Sequence, residues 1–352
     1  MDNYQQRVWW PAFLGCLLWI VPMVPAAAAA SLFESEVVVS SQSPAERGSA
    51  LHAALTEVLV RVAGRNNVLD TEPARELLAD PGKLVQQYRY YTRPDSQPPV
   101  LVLWVRFDEA SIRQGLQQQG VSYWGQERPD TLVWLAVEDR GRRYVAAADD
   151  DTDVHRQIEL AARQRGVPIV FPLMDLEDQS RVRFTDIWGG FFDNVLLASE
   201  RYRPQAVLIG RLNRSASGGW SSRWNLQVGG EHRAWTDSRS DLAQLSQQGI
   251  DTAADILAAQ FAVAGGGGGG SNNSVTIEIN GVDSRADYAR INAYLETLTS
   301  VADLQLTQVS GSTLEYALRL NGSMQDLTRT VSIGSVLEPA AGGMPGSFRI
   351  RQ

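Results

Sequence analysis

The stretch AGGGGGGSNN at 264–273 constrains this chain more than any other, because six consecutive glycines offer no side chain to pack. Glycine also loses the most backbone freedom on ordering, so the run reads as a flexible linker at 265–274. Ten such residues span about 17 Å on average, which lets two folded bodies reorient without separating widely. A large body before the run and a small one after it follow from this reading.

The first thirty residues read as an export leader. Arg7 is the only basic residue of a short polar head, and a mostly apolar run covers 9–24, interrupted by Pro11 and Pro22. That run is shorter than the about 20 residues a helix needs to cross a bilayer, and it leads into the small-residue tract at 26–30. Cleavage after Ala30 fits an A-x-A site formed by Ala28 and Ala30, and the periplasm is the compartment this predicts. The low positive charge of the head keeps a retained anchor, or a peripheral association with the envelope, as the alternative. Cys16 lies inside the apolar run with Leu14 two residues before it and apolar residues behind it, which opposes lipid modification.

Cys16 is the only cysteine, so a mature chain starting at Ser31 has no thiol for a disulfide, a nucleophile or a zinc ligand. The net charge is −8 and Lys83 is the only lysine. An acidic chain without a basic block is a poor match for nucleic acid, and no cofactor motif is present.

Hydrophobic periodicity divides the remainder into three folded segments. Residues 31–128 read as α+β. A strand lies at Glu34–Val39, and Ser43-Pro44-Ala45-Glu46 opens a helix whose stripe Leu51, Leu55, Val58, Leu59 and Val62 ends at Gly64. A short helix at 73–79, strands at 88–92 and Val100–Phe107, and a helix at 109–119 complete the unit. Residues 129–264 read as α/β. Apolar strands are predicted at 131–137, 167–173 and 206–209, with helices at 154–165, 184–202 and Leu242–Phe261, and antiparallel edge strands at 223–228 and 233–236. A three-layer body with a mixed sheet is the expected product. Residues 275–352 follow the order βαββαβ, the ferredoxin-like plan. One face of that sheet carries Glu278, Gln305, Glu315 and Arg319 without an aromatic pair, which suits docking and not RNA.

RGVPIVFPLMDLED at 165–178, FTDIWGGFF at 184–192 and ASERYRPQAVLIGRL at 198–212, with the tryptophans after Gly219, resemble an exported proteobacterial family, domain of unknown function 2066. The resemblance spans about 31–264. It implies an envelope location and, by fold analogy, a likeness to the amino-terminal domain of TolB and to curli-secretion or penicillin-binding-protein-activator domains. It supplies no catalytic residues.

Candidate chemical groups are few. His52, His155 and His232 lie in three different elements, and a metal or triad role needs partners that the sequence does not place beside them. The run Asp149-Asp150-Asp151-Thr152-Asp153 starts like a calcium loop, but Val154 replaces the turn glycine and Leu160 the bidentate glutamate. Capping of the following helix by Thr152 or Asp151 is the favoured account. Asp175, Glu177 and Asp178 follow a predicted buried strand, where open α/β sheets put ligands, and are the first choice for an acid or base. Trp220 is the candidate platform for a sugar or a partner, against core packing of Trp224 on the same hairpin. Gly189 and Gly190, inside the predicted helix at 184–202, call for a close neighbour. Together these features favour binding of other envelope proteins over catalysis. The competing reading is an enzyme or binder acting on a cell-wall glycan, with its acids at 175–178.

Overall fold

The computed structural model describes residues 32–93, 98–263, 274–340 and 342–351. The leader with its Ala30 cleavage site and the glycine linker lie outside the described residues. The fold is mixed α/β, with three sheets and ten helices among the described residues.

The first sheet has the order β1-β3-β2, all antiparallel, from β1 (Glu34–Val39), β2 (Val85–Arg93) and β3 (Val100–Phe107). Helix α1 (Pro44–Ala63) packs on it with the stripe the spacing predicts. Leu55, Val58, Leu59 and Val62 are fully buried, and Ser43 caps the helix by accepting from the Glu46 N–H. Helices α2 (Glu72–Ala79) and α3 (Glu109–Gln118) close this core around Ile112 and Leu116.

The second sheet is larger and mixed. Its order is β5-β4-β7-β8-β9, from β4 (Thr131–Asp139), β5 (Arg142–Val145), β7 (Ala206–Arg214), β8 (Trp220–Val228) and β9 (Glu231–Arg239). A two-residue β6 (Ile169–Val170) pairs in parallel with the start of β4, and β7 is also parallel to β4. Alternation assigns the β4 side chains to two cores. Val133, Leu135 and Val137 face α4 (Asp153–Arg165) and α8 (Leu242–Phe261), whereas Leu132, Trp134 and Ala136 face α6 (Phe184–Gly189) and α7 (Phe192–Ser199). Trp224 sits between β7 and α8, and only glycine fits there. A Cβ on Gly210 would collide with its ring, and one on Gly249 would lie 2.6 Å from its indole nitrogen.

Two expectations need correction in this region. The apolar run 167–173 pairs only over Ile169 and Val170, because Pro168 and Pro172 bracket it and lack the N–H that a ladder requires. The long helix at 184–202 is broken at Gly190, which adopts φ +83°, so that α6 ends and α7 begins anew at Phe192. Gly190 thus makes a helix terminus, while Gly189 has the close neighbour its position calls for, since a Cβ there would lie 2.5 Å from the Phe191 ring. Short α5 (Leu176–Arg181) precedes this pair of helices.

The third sheet has the order β11-β12-β10-β14-β13, from β10 (Ser274–Asn280), β11 (Val301–Ser310), β12 (Thr313–Leu320), β13 (Leu337–Pro339) and β14 (Ser347–Ile350). Helices α9 (Arg285–Thr297) and α10 (Met324–Ile333) cover one face through Ile291, Leu295, Leu327 and Val331. The sheet differs in two respects from a plain four-stranded, antiparallel βαββαβ plan. The chain adds β13, and the strand next to β10 on that side is β14, which runs parallel to it. Three residues containing a proline gave β13 no readable period.

Three buried arginines join the first two cores. Arg128 donates to five backbone carbonyls, those of Arg61, Trp124, Gly125, Arg165 and Gly166, at 2.8–3.1 Å. Arg165 pairs with Asp251 and Asp255 at 2.8 and 2.6 Å, and Arg61 with Glu57. Burial lowers the Arg128 guanidinium to about 9, so it remains charged at neutral pH. The described residues from 32 onward form one compact unit. Within it Arg329 donates to the Gln260 carbonyl and Gln205 to that of Ile333 at 3.4 Å.

Candidate functional site

The acids chosen from the sequence are already partnered. Asp175 caps α5 by accepting from the Asp178 N–H at 3.0 Å, and it receives both arms of Arg201 at 2.9 Å. Asp178 is fully buried. It accepts from Arg201 at 3.0 Å, from the Tyr202 hydroxyl at 2.5 Å and from the Met174 N–H at 3.0 Å. Glu177 lies 3.6 Å from Arg201 and 3.1 Å from Arg181. The hydrogen bonds from Arg201 hold the Asp175 carboxyl well below the usual carboxylate range. Burial, reinforced by Asp178, pushes the Tyr202 hydroxyl up to about 12. A general acid needs a proton near neutral pH, and a carboxylate held this way does not keep one. The network instead supports Met174, whose backbone is left-handed at φ +50°.

Trp220 is buried, 6 % exposed, within the core below α8, and the Arg214 guanidinium lies 5.6 Å from its ring centre. A sugar finds no open ring face there. Trp220 and Arg214 instead line a cavity of about 570 Å³ at the carboxyl ends of the parallel strands β4 and β7. Its polar groups pair among themselves, Arg214 with Asp139 at 3.4 Å and Arg156 with Asp151 and Asp153. In the acidic run, Thr152 caps α4 by accepting from the His155 N–H at 3.2 Å.

The three histidines are not brought together. His52 is exposed, His155 is buried with its ring 4.2 Å from that of Phe171, and His232 bonds Asn225 at 2.8 Å. Among the described residues no group of three or more His, Cys, Asp or Glu is placed to hold a metal.

Two arginines that sequence reasoning passed over make the contrasting arrangement. Arg211 on β7 and Arg223 on β8 are direct cross-strand partners on the face that α6 and α7 cover only in part. Among the described residues neither has a carboxylate in ion-pair range, and Arg211 donates to the Trp188 carbonyl. Burial lowers the pKa of Arg211, and the like charge of Arg223 lowers it further. A readable signal existed, since Arg211 interrupts the apolar run AVLIGRL, but register decides which strand residue it meets.

The C-terminal sheet has a second unusual pairing. Glu278 on β10 and Glu315 on β12 lie directly opposite each other on the face away from the helices. Arg319 and Asp303, 3.8 Å apart, and Gln305 share that face.

The family model of a domain of unknown function, DUF8605, matches residues 26–125. No curated protein matches the chain. The likeness to domain of unknown function 2066 is overturned, because the matching family is a different one. The sequence blocks behind that likeness lie at 165–212, beyond the matched range. They encode a glycine helix end at Gly166, an aspartate cap at Asp175 and a buried strand at β7, features that α/β chains share without kinship. The match covers β1 to α3 and carries no activity. No helix of the described residues is long and apolar enough to cross a membrane.

Proposed function

We propose that this chain is an exported, periplasmic, non-enzymatic binding module that links envelope proteins. In this reading residues 1–30 are a cleaved leader, 31–128 and 129–264 build a body whose second part is a three-layer sandwich, and 275–352 is a ferredoxin-like lobe on the 265–274 linker. The observation that carries it is the bare outer face of the third sheet. Thr276, Glu278, Gln305, Thr307 and Arg319 are exposed there, while the opposite face is covered by α9 and α10. Like charges directly opposite on adjacent strands are destabilising, so a surface that keeps Glu278 beside Glu315 gains most from a basic partner surface. The self-paired acids at 175–178 favour this reading over a glycan-cleaving enzyme.

The test is crosslinking in living cells with affinity capture from the envelope fraction, comparing the natural chain with Glu278→Lys/Glu315→Lys. Capture of a specific partner that the double variant loses is the expected result. Equal capture by both forms removes this face from the proposal.

A further inference from the structure

We infer that the groove between the α6–α7 turn and strands β7 and β8 is a binding site for a phosphoryl oxyanion. Two adjoining cavities of about 390 Å³ each form it, and both are walled by Arg211, Arg223 and Thr236. Guanidinium groups on paired strands repel each other, and among the described residues no carboxylate forms an ion pair with either one. Asp237, on the wall of the second cavity, accepts from Arg239 at 2.5 Å through Oδ1, while its buried Oδ2 has no hydrogen-bond partner among the described residues, so one carboxylate shared with Arg239 stands against the two guanidinium groups. The charge balance of the groove is therefore open, in a chain whose net charge is −8.

The donors suit a tetrahedral oxyanion. A guanidinium presents its N–H groups in a planar fork that matches phosphate geometry, and two forks side by side favour a double negative charge. Arg211 is held in place by the Trp188 carbonyl, which reduces the ordering cost of binding. Arg223 is exposed and free to close over the ligand. The left-handed Gly190 turns the chain so that Gly189, Gly190 and Phe192 line the first cavity. Phe192 begins α7, and Phe191 before it supplies no side-chain cap. The first N–H groups of that helix lack an intrahelical partner, and the positive end of its dipole adds to the attraction. This site lies on a different sheet from the face proposed for protein partners, so either can fail alone.

The experiment is an amide NMR titration of the full chain with inorganic phosphate and, separately, with glycerol 3-phosphate, each against potassium chloride at matched ionic strength. Saturable shifts at Gly189, Gly190 and Phe192 with the phosphates and not with chloride are expected. Arg223→Gln weakens binding about tenfold, and Arg211→Gln/Arg223→Gln abolishes it. Tighter binding of the ester identifies a phosphoryl group carried on a larger molecule, and tighter binding of the free ion identifies phosphate itself. Absence of saturable shifts, equal shifts with chloride, or binding unchanged in Arg223→Gln overturns the inference. Arg223 makes no contact that folding needs, so its variant remains informative should Arg211→Gln fail to fold.

Discussion

The acids at 175–178 and the arginines at 211 and 223 are both groups of like charge on the α/β part of the chain, and they are treated in opposite ways. Around Asp178 both carboxylate oxygens are hydrogen-bonded, Oδ1 by Arg201 and Oδ2 by Tyr202 and the Met174 N–H. Around Arg223 no protein partner stands within reach among the described residues. Charges that fold the chain are compensated within it, because an unpaired buried ion costs several kcal/mol. Charges left uncompensated at the surface of a groove are tolerable only because water reaches them, and they are the ones available to a ligand. The physical signature of a site here is therefore incomplete pairing, not the density of charge that first drew attention to 175–178.

The largest effect that separates the two clusters comes from Asp178→Ala. Removing this buried carboxylate takes the acceptor from the Tyr202 hydroxyl and the Met174 N–H and leaves Arg201 hydrogen-bonded to Asp175, and destabilisation of about 3 kcal/mol is expected in urea unfolding. An effect below about 0.5 kcal/mol shows that the network is not structural and restores 175–178 as a candidate site.

Next in size is Gly190→Ala, at about 1–2 kcal/mol, because an L side chain is disfavoured at φ +83°. The comparison sharpens if this variant also loses the phosphate response at Phe192 while the Tyr202 hydroxyl keeps its elevated pKa. Loss of both means that the α6–α7 turn supports the two clusters together.

Apart from β13, the helices and strands that form the third sheet were legible in sequence because each carries its own period. Thr313–Leu320 and Met324–Ile333 have the bounds that their hydrophobic spacing predicts, and the structure adds Ser323 as the cap of the helix. Leu242–Phe261 is equally plain. Illegible features depended on contacts between elements. Arg128 looks like a surface residue until five carbonyls from three separate segments converge on it. Trp220 looks like a platform until α8 packs over its face of the sheet. Arg211 and Arg223 are twelve residues apart, and only the β7–β8 register makes them neighbours. The break at Gly190 was written locally, but a Gly-Gly pair does not say whether a helix bends, ends or packs closely.

A smaller effect is read from pH. The Asp175 carboxyl has a folded pKa below its unfolded value, so its contribution to stability is fully present above about pH 4 and is lost as pH falls below that value. Asp175→Asn is expected to flatten the acid limb of the stability curve between pH 5 and pH 2, in urea melts at constant ionic strength. A limb unchanged by the substitution means that other carboxylates carry acid unfolding and that the Arg201 pair at Asp175 is solvent-screened.

The smallest effect is the most discriminating. Arg223→Gln removes one of two facing charges and no hydrogen bond, so thermal stability is expected to stay within about 0.5 kcal/mol of the natural chain, with any change upward. The sign follows from repulsion, because the remaining Arg211 no longer faces a like charge. Salt gives the check. Repulsion between exposed charges is screened within about 10 Å at 0.1 M, so any gain from the variant is largest at low ionic strength and fades as salt is added. Phosphate separates screening from binding, since a bound ion stabilises the natural chain by RT ln(1 + L/Kd), with L the free phosphate concentration, and stabilises the variant, which binds about tenfold more weakly, less at the same concentration. Destabilisation by more than about 1 kcal/mol at every salt concentration shows that Arg223 folds the protein after all. The contrast between a completed and an uncompleted cluster then collapses.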